Sequence, residues 1–160
     1  MSRQLVPGGV CRLILVAMVT GLGLAGPAQA ADAAEAAEAG KARYQYILNC
    51  AGCHQADGSG AKSGGVPTLR GQLGHFVSIP EGRAFLVQVP GTSNSPLKDG
   101  EIARMLNWML QAFSAETLPA ALEPYTEAEV TRLRNAPLTD VSATRRAIVT
   151  QLAERGLRVE

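Results

Sequence analysis

Aromatic residues are scarce in this 160-residue chain, at 4% of the sequence, and neither sign of charge predominates. It has 15 lysines and arginines against 14 aspartates and glutamates. Nucleic-acid-binding domains typically have a clear basic excess, so we expect no nucleic-acid partner. The apolar fraction of 46% is typical of a globular protein and too high for a disordered one. With so few aromatic side chains, we expect some other bulky group to help fill the core.

The apolar run near the N-terminus is too short to span a bilayer, which requires about 20 residues. It covers residues 13–26, only 14 positions, and it follows two arginines. Ala28 and Ala30 then provide the small-x-small pattern of a cleavage site. This layout predicts a cleaved secretory signal peptide at residues 1–30 rather than a membrane anchor. We therefore expect a periplasmic protein with no stable membrane span after cleavage.

Cysteine is also scarce, with three residues in the chain. Cleavage would remove Cys11 together with two arginines, leaving Cys50, Cys53 and a formal charge of −1 from 13 basic and 14 acidic residues. In an oxidising compartment such a pair can form a disulfide. A simple disulfide would leave the adjacent His54 without a role.

The sequence from Cys50 to His54 is C-x-x-C-H, the attachment signature of c-type haem. Two thiols at this spacing reach the two vinyl groups of haem and form thioethers. The histidine that follows is then held beneath the iron as the proximal axial ligand. We therefore predict one covalent haem c bound by Cys50 and Cys53, with His54 on the iron.

Two other sites that use the same residue types fit less well. A thioredoxin-like C-x-x-C expects a βαβ surround, whereas a helical pattern precedes Cys50 and a glycine-rich loop follows His54. A zinc site requires four ligands, and the predicted mature chain has only two cysteines and two histidines, with His75 far from the motif.

The periodicity predicts helices on both sides of the motif. Residues 33–49 form the first, with Tyr44, Ile47 and Leu48 on one face. A loop at residues 55–75 and a short helix at 81–89 follow. The clearest helix covers residues 100–113, with Asp99 as N-cap and an apolar stripe that should pack across the first helix, namely Ile102, Met105, Leu106, Met109, Leu110 and Phe113.

The last part of the chain shows two more helix patterns. Thr126 begins a capping box for a short helix that ends near Pro137. Ser142 is a predicted cap for a helix at about 143–155, with Gly156 as its stop. Four arginines there form either a docking patch or a solvated helix face, namely Arg132, Arg134, Arg145 and Arg146.

Several segments around the motif resemble the class I (monohaem) bacterial cytochromes c over about residues 33–113. They are the stretch 39–44 before the motif, the polar turn 55–60, the Pro-x-Leu segment 66–69, and 97–102 leading to Trp108. The resemblance implies an all-α fold, a few helices wrapped round one covalent haem. It also implies that the Pro67 carbonyl accepts a hydrogen bond from His54. The predicted organisation is a signal peptide at 1–30, a cytochrome c domain at 31–113 and a helical C-terminal extension at 114–160.

The chain departs from the family in the loop before the last helix of that domain. The family's distal methionine would lie there, but residues 89–97 contain no methionine. Met105, Met109 and His75 are the remaining candidates for the distal ligand. Core packing explains the two methionines, and an exposed loop position explains His75, equally simply. An open sixth position is the other alternative.

The family resemblance implies an electron-transfer protein rather than an enzyme. Its expected partners are a periplasmic dehydrogenase as donor and a downstream cytochrome or oxidase as acceptor. The missing loop methionine favours a second hypothesis, a haem protein whose open sixth position binds NO, CO or peroxide. A third hypothesis is a haem subunit of a larger oxidoreductase, with 114–160 as its docking segment.

Overall fold

A computed structural model describes residues 27–160, and this part of the chain is helical, with one isolated β-bridge between Ala61 and Val66. Residues 1–26, with Cys11 and most of the predicted signal peptide, lie outside the described residues, so cleavage stays a prediction. Within 27–160 no helix combines the length and the hydrophobicity needed to cross a membrane. The helices are α1 (Pro27–Asn49), α2 (Ala51–His54), α3 (Leu73–Val77), α4 (Pro80–Gln88), α5 (Pro90–Ser93), α6 (Asp99–Ser114), α7 (Glu127–Arg134) and α8 (Val141–Glu154).

The core forms where α6 packs against α1, as the apolar stripe of α6 predicts. From α1 the buried side chains are Ala42 and Tyr46. The Tyr46 ring lies 5.6 Å from Trp108 and 5.0 Å from Phe113, and its hydroxyl donates to the Gln55 carbonyl at 2.6 Å. These ring contacts join the first helix to the last helix of the predicted cytochrome c domain.

The face predicted for α1 is wrong in part. Tyr44 and Leu48 are each 63% exposed, and Ile47 is only partly buried. The apolar letters alone place Tyr44 inward, but Tyr46 is the tyrosine that packs between the α6 rings. Because positions 44 and 46 lie on opposite sides of a helix, one of the two tyrosines must face solvent.

The predicted N-cap of α6 is also wrong, since Asp99 is the first helical residue rather than the cap. The Asp99 carboxylate instead accepts from Thr131 at 2.7 Å and from Arg134 at 2.8 Å. The Glu101 side chain accepts from the Lys98 backbone amide at 2.8 Å, which gives this amide at the start of the helix a hydrogen-bond partner. A tertiary contact with α7 thus takes the carboxylate that local sequence assigns to capping.

The C-terminal extension shares the apolar interior of the rest of the molecule. Tyr125, Val130 and Leu133 belong to the cluster that contains Tyr46 and the α6 stripe. Ile148 and Leu152 of α8 form a second cluster with three residues from α3, α4 and the link between them, namely Phe76, Ile79 and Phe85. Residues 114–160 therefore pack as part of one folded unit.

The helix ends of the extension follow the sequence closely. Thr126 accepts from the Glu129 amide at 3.2 Å, which confirms the predicted cap of α7. Gly156 follows α8 with a φ of +78° and confirms the predicted stop. The cap of α8 is Asp140, which accepts from the Ala143 amide at 2.8 Å, so α8 begins slightly before the position that Ser142 predicts.

Arg83 of α4 joins the part of the chain before residue 114 to the predicted extension. Its guanidinium makes two 2.7 Å hydrogen bonds with the Glu129 carboxylate and donates to the Glu123 carbonyl at 2.9 Å. It also lies 4.0 Å from the centroid of the Tyr125 ring. The Arg83 and Glu129 side chains are only 17% and 19% exposed, so this pair is shielded from solvent screening.

Replacing Arg83 with glutamine should destabilise the protein. The change leaves the Glu129 carboxylate without its partner in a partly buried position, which costs about 2–3 kcal/mol. Urea unfolding at pH 7 measures the loss. Arg43→Gln, at an exposed position on α1, is the control and should change the free energy of unfolding by less than about 0.5 kcal/mol. Equal losses in both variants would contradict the assigned role of Arg83.

The contribution of Glu129 to stability should depend on pH. The hydrogen bond from Arg83, opposed by burial, lowers the pKa of Glu129 below 4.5. A lowered folded-state pKa stabilises the fold above the unfolded value and is lost as the pH falls through the folded value. The difference in unfolding free energy between the parent and Glu129→Gln should therefore shrink below about pH 4.5. A difference that stays the same above and below that pH would contradict the role assigned to the Arg83 bond.

Candidate functional site

The C-x-x-C-H motif forms one tight turn at the end of α1. The backbone amides of Cys53 and His54 both donate to the Cys50 carbonyl, at 3.2 and 3.0 Å. Cys50 and Cys53 are free thiols, and both line the same cavity as His54. Burial, together with nearby Cys53, raises the pKa of Cys50 to about 11. The turn therefore presents two thiols and one imidazole to a common space.

The loop that follows orients the imidazole of His54. Its Nδ1 lies 3.2 Å from the Pro67 carbonyl oxygen, so Nε2 is the ring nitrogen left outside this contact. Burial lowers the pKa of His54, and the Pro67 carbonyl opposes that shift. A lowered pKa favours the neutral imidazole that a metal ion requires. The arrangement is what the family resemblance implies for Pro67, with the donor hydrogen on Nδ1.

The loop positions Pro67 through a close backbone packing at Gly60. The Gly60 amide donates to the His54 carbonyl at 2.9 Å, and its φ is +73°. A Cβ at Gly60 would lie 2.5 Å from the Pro67 carbonyl oxygen. Glycine therefore allows the loop to come close enough for Pro67 to reach His54.

The cavity has a volume of about 510 Å³ and mostly apolar walls. Its walls include aliphatic and aromatic side chains from the loop, from α3, from α4 and from the residue after α4, namely Val66, Leu69, Leu73, Phe76, Phe85, Leu86 and Val89. A cavity of this size suits a large apolar ligand. Together with the two thiols and His54, these residues fit a covalently held haem.

The distal candidates occupy different places in the structure. Met105 and Met109 are buried on α6 and line the cavity, and the Met105 sulfur lies 3.9 Å from the Cys50 sulfur. His75 is half-buried on α3 and is not among the residues that line the cavity. From the segment without methionine, Val89, Gly91 and Thr92 contribute to the wall.

Arg134 of α7 hydrogen-bonds to the backbone of the segment without methionine. Its guanidinium donates to the carbonyls of Ser93 at 2.7 Å, Leu97 at 2.8 Å and Ser95 at 2.6 Å. A further 2.8 Å bond reaches the Asp99 carboxylate. Four bonds from one half-buried side chain fix the backbone next to the cavity wall.

The four arginines expected to share a docking patch or a solvated helix face differ in how much of each side chain is exposed. Arg132 and Arg146 are exposed, whereas Arg134 and Arg145 are half-buried. Arg134 binds the loop carbonyls, and Arg145 lines the cavity together with Val141 and Ser142 of α8. Sequence reasoning missed these cavity residues because nothing in a helix pattern shows what the helix will cover.

The comparisons with known proteins agree with this geometry. The cytochrome c family model matches residues 37–113. A cytochrome c-552 from Thermus thermophilus is 32% identical over 108 residues, which cover 56% of this chain and 82% of the relative. The chain belongs to the cytochrome c family. It is thus a haem c protein with the all-α fold of the class I, single-haem members and a c-type electron carrier.

A second cytochrome c-552, from a particular strain of the same Thermus species, is also 32% identical over 108 residues and has 72% of its length covered. No solved structure matches the chain at a significant level. The family match ends before α7 and α8, so the cavity residues of α8 lie outside the part that the family model describes. Within residues 27–160 no group of three or more His, Cys, Asp or Glu side chains could hold a metal ion.

Replacing both motif cysteines should abolish covalent haem attachment. In the variant Cys50→Ser/Cys53→Ser neither thioether can form, so the denatured protein should have no haem mass and no haem stain. Each single variant should keep one thioether and show a shifted pyridine haemochrome spectrum. Cys11→Ser is the control and should keep the full haem content. Covalent haem in the double variant would contradict the assignment.

Adding a methyl group at Gly60 should harm the haem site more than adding one at Gly156. Both glycines have a positive φ, +73° and +78°, so alanine costs about 1–2 kcal/mol at either position. Only Gly60→Ala also collides with the Pro67 carbonyl, because the Gly156 position has open space around it and lies outside the cavity lining. We therefore expect lower haem content per mole and lower stability for Gly60→Ala. Equal effects in the two variants would contradict the steric argument.

Proposed function

We propose that this cytochrome is a periplasmic one-electron carrier between a dehydrogenase and a downstream cytochrome or oxidase. The observation that carries the proposal is that Cys50, Cys53 and His54 line one and the same cavity, whose other walls are mostly apolar. In this proposal the two cysteines form the thioethers and His54 is the proximal iron ligand. Export through the predicted signal peptide at 1–30 would place the protein among periplasmic redox partners.

Haem c supplies an iron that alternates between Fe(III) and Fe(II). The protein's own residues hold and tune it. Thioethers at Cys50 and Cys53 would prevent loss of the group, and the Pro67 carbonyl, 3.2 Å from Nδ1, would hold the orientation of the His54 ring. The apolar walls limit water and lower the local dielectric constant, which is one of the protein's controls over potential.

Exposure at the motif gives partners access to the site. Cys53 is exposed, and Gly52 beside it is also exposed, so the thioether edge lies next to solvent. Electron transfer requires close approach of the two redox groups but no bond between them. A short-lived complex at this edge is therefore sufficient for the proposed role.

The loop without methionine favours a second candidate function. Val89, Gly91 and Thr92 form part of the wall and offer neither a thioether nor an imidazole to the iron, and Arg134 holds the same loop in place. If neither Met105, Met109 nor His75 binds the iron, its sixth position is open to NO, CO or peroxide. The protein would then sense or react with a small ligand.

Absorption spectra and a potentiometric titration of the purified holo-protein test the two functions. For the carrier we expect a one-electron transition, a low-spin ferric spectrum and slow or absent CO binding by the reduced form. A thioether charge-transfer band that is lost in Met105→Leu or Met109→Leu would identify the distal ligand, and His75→Gln is the matching test for a second histidine. A high-spin ferric spectrum with prompt CO binding would reject the carrier and support the second function.

A further inference from the structure

We propose that Arg145, with Lys62 beside it, binds the haem propionates, so that the C-terminal extension is part of the haem site. The inference rests on the proposed attachment at Cys50, Cys53 and His54. Its main residue, Arg145, lies outside the family match, which covers residues 37–113, whereas Lys62 lies within it. The ligand chemistry is that of two carboxylates on one edge of the cofactor.

Arg145 reaches the cavity from α8, which packs against other helices than those that carry the motif. The helix that carries Cys53 and His54, α2, packs against α1, whereas α8 packs against α3 and α4. The thioethers form at the vinyl-bearing edge of haem, and the propionates project from the opposite edge. A cation that enters from the α3 and α4 side therefore lies where carboxylates are expected.

A second cavity of about 540 Å³ adjoins the haem cavity at this place. The two share Arg145 and the loop segment 65–68, which includes Pro67. The second cavity adds Lys62 and Glu160. Two cations, Arg145 and Lys62, thus lie where the two cavities adjoin, near enough to meet two carboxylates, with the Glu160 side chain beside them.

Arg145 is held in place by its neighbours. It is half-buried, with its guanidinium carbon 5.9 Å from the centroid of Phe76, a residue of the cavity wall. It also donates to the backbone carbonyl of Glu160. This bond uses Nη2 of the guanidinium, and the N–H groups on Nε and Nη1 are further donors that can meet a carboxylate.

Glu160 provides a competing anion at the same place. Its carboxylate lies 3.3 Å from the Lys62 ammonium, and its amide donates to Gln72, another cavity residue, at 3.0 Å. The Lys62 and Glu160 side chains are 85% and 64% exposed, so this pair is weak and easily exchanged. We infer that Lys62 turns from Glu160 to a propionate when haem is bound.

The test is the midpoint potential of the holo-protein and the propionate bending band in its resonance Raman spectrum. Removing the charge in Arg145→Gln destabilises the reduced iron, so the equilibrium constant for reduction should fall about three- to tenfold, or about 30–59 mV at 59 mV per tenfold. The propionate band should also shift. Arg145→Lys keeps the charge and should restore most of the potential.

Arg146→Gln is the matched control, because Arg146 is the next residue of α8, is exposed and lines neither cavity. Its equilibrium constant should change less than twofold. Lys62→Gln should lower the potential in the same direction by less, and Glu160→Gln should raise it. These two side chains are exposed, so neither change should prevent folding.

Each outcome decides the proposal. It is overturned if Arg145→Gln moves the potential no more than Arg146→Gln, or if the propionate band does not shift. If Arg145→Gln does not accumulate as holo-protein, Lys62→Gln decides, and an unchanged potential and band there overturn the proposal. The haem content of the parent protein is measured first. Absence of covalent haem in the parent would show that the proposed attachment fails, which is a different result from failure of the propionate contact.

Discussion

The turn from Cys50 to His54 is the constraint on which the rest of the haem site depends. Three side chains in five residues must face one cavity, and the shared carbonyl of Cys50 makes this turn tight enough. In the proposed attachment this turn would anchor the cofactor, while the loop brings Pro67 to His54 and apolar helices line the same space. The close approach at Gly60 lets Pro67 reach His54.

Two arginines join the extension to the rest of the molecule, one from each side of residue 114. Arg83 reaches from α4 to Glu129 and Tyr125 of the extension, while Arg134 reaches back from α7 to the loop at 93–97. Both are half-buried and make several charge-assisted hydrogen bonds. A loop that carries no methionine is therefore still fixed in position, by hydrogen bonds from Arg134 to its backbone carbonyls.

Much of the fold follows from the sequence because helix signals are local. The stripe of α6, the cap at Thr126 and the stop at Gly156 depend on neighbours within a few residues, and the structure confirms them. Asp99 and Tyr44 were predicted wrongly for one common reason. Local rules make Asp99 a helix cap and turn Tyr44 toward the core. In the structure Asp99 instead pairs with Arg134, and Tyr46 rather than Tyr44 packs against the two α6 rings.

The sequence by itself determined which cofactor to expect, because two thiols and a histidine at this spacing predict covalent haem, in agreement with the family match. It also determined the helical class of the fold through its periodicity. Only the tertiary structure decided that α8 lines the haem cavity and that Arg145 points there while Arg146 faces solvent. The physical reason is that a helix pattern encodes which face is apolar, whereas the surface that this face covers depends on residues far away in the chain.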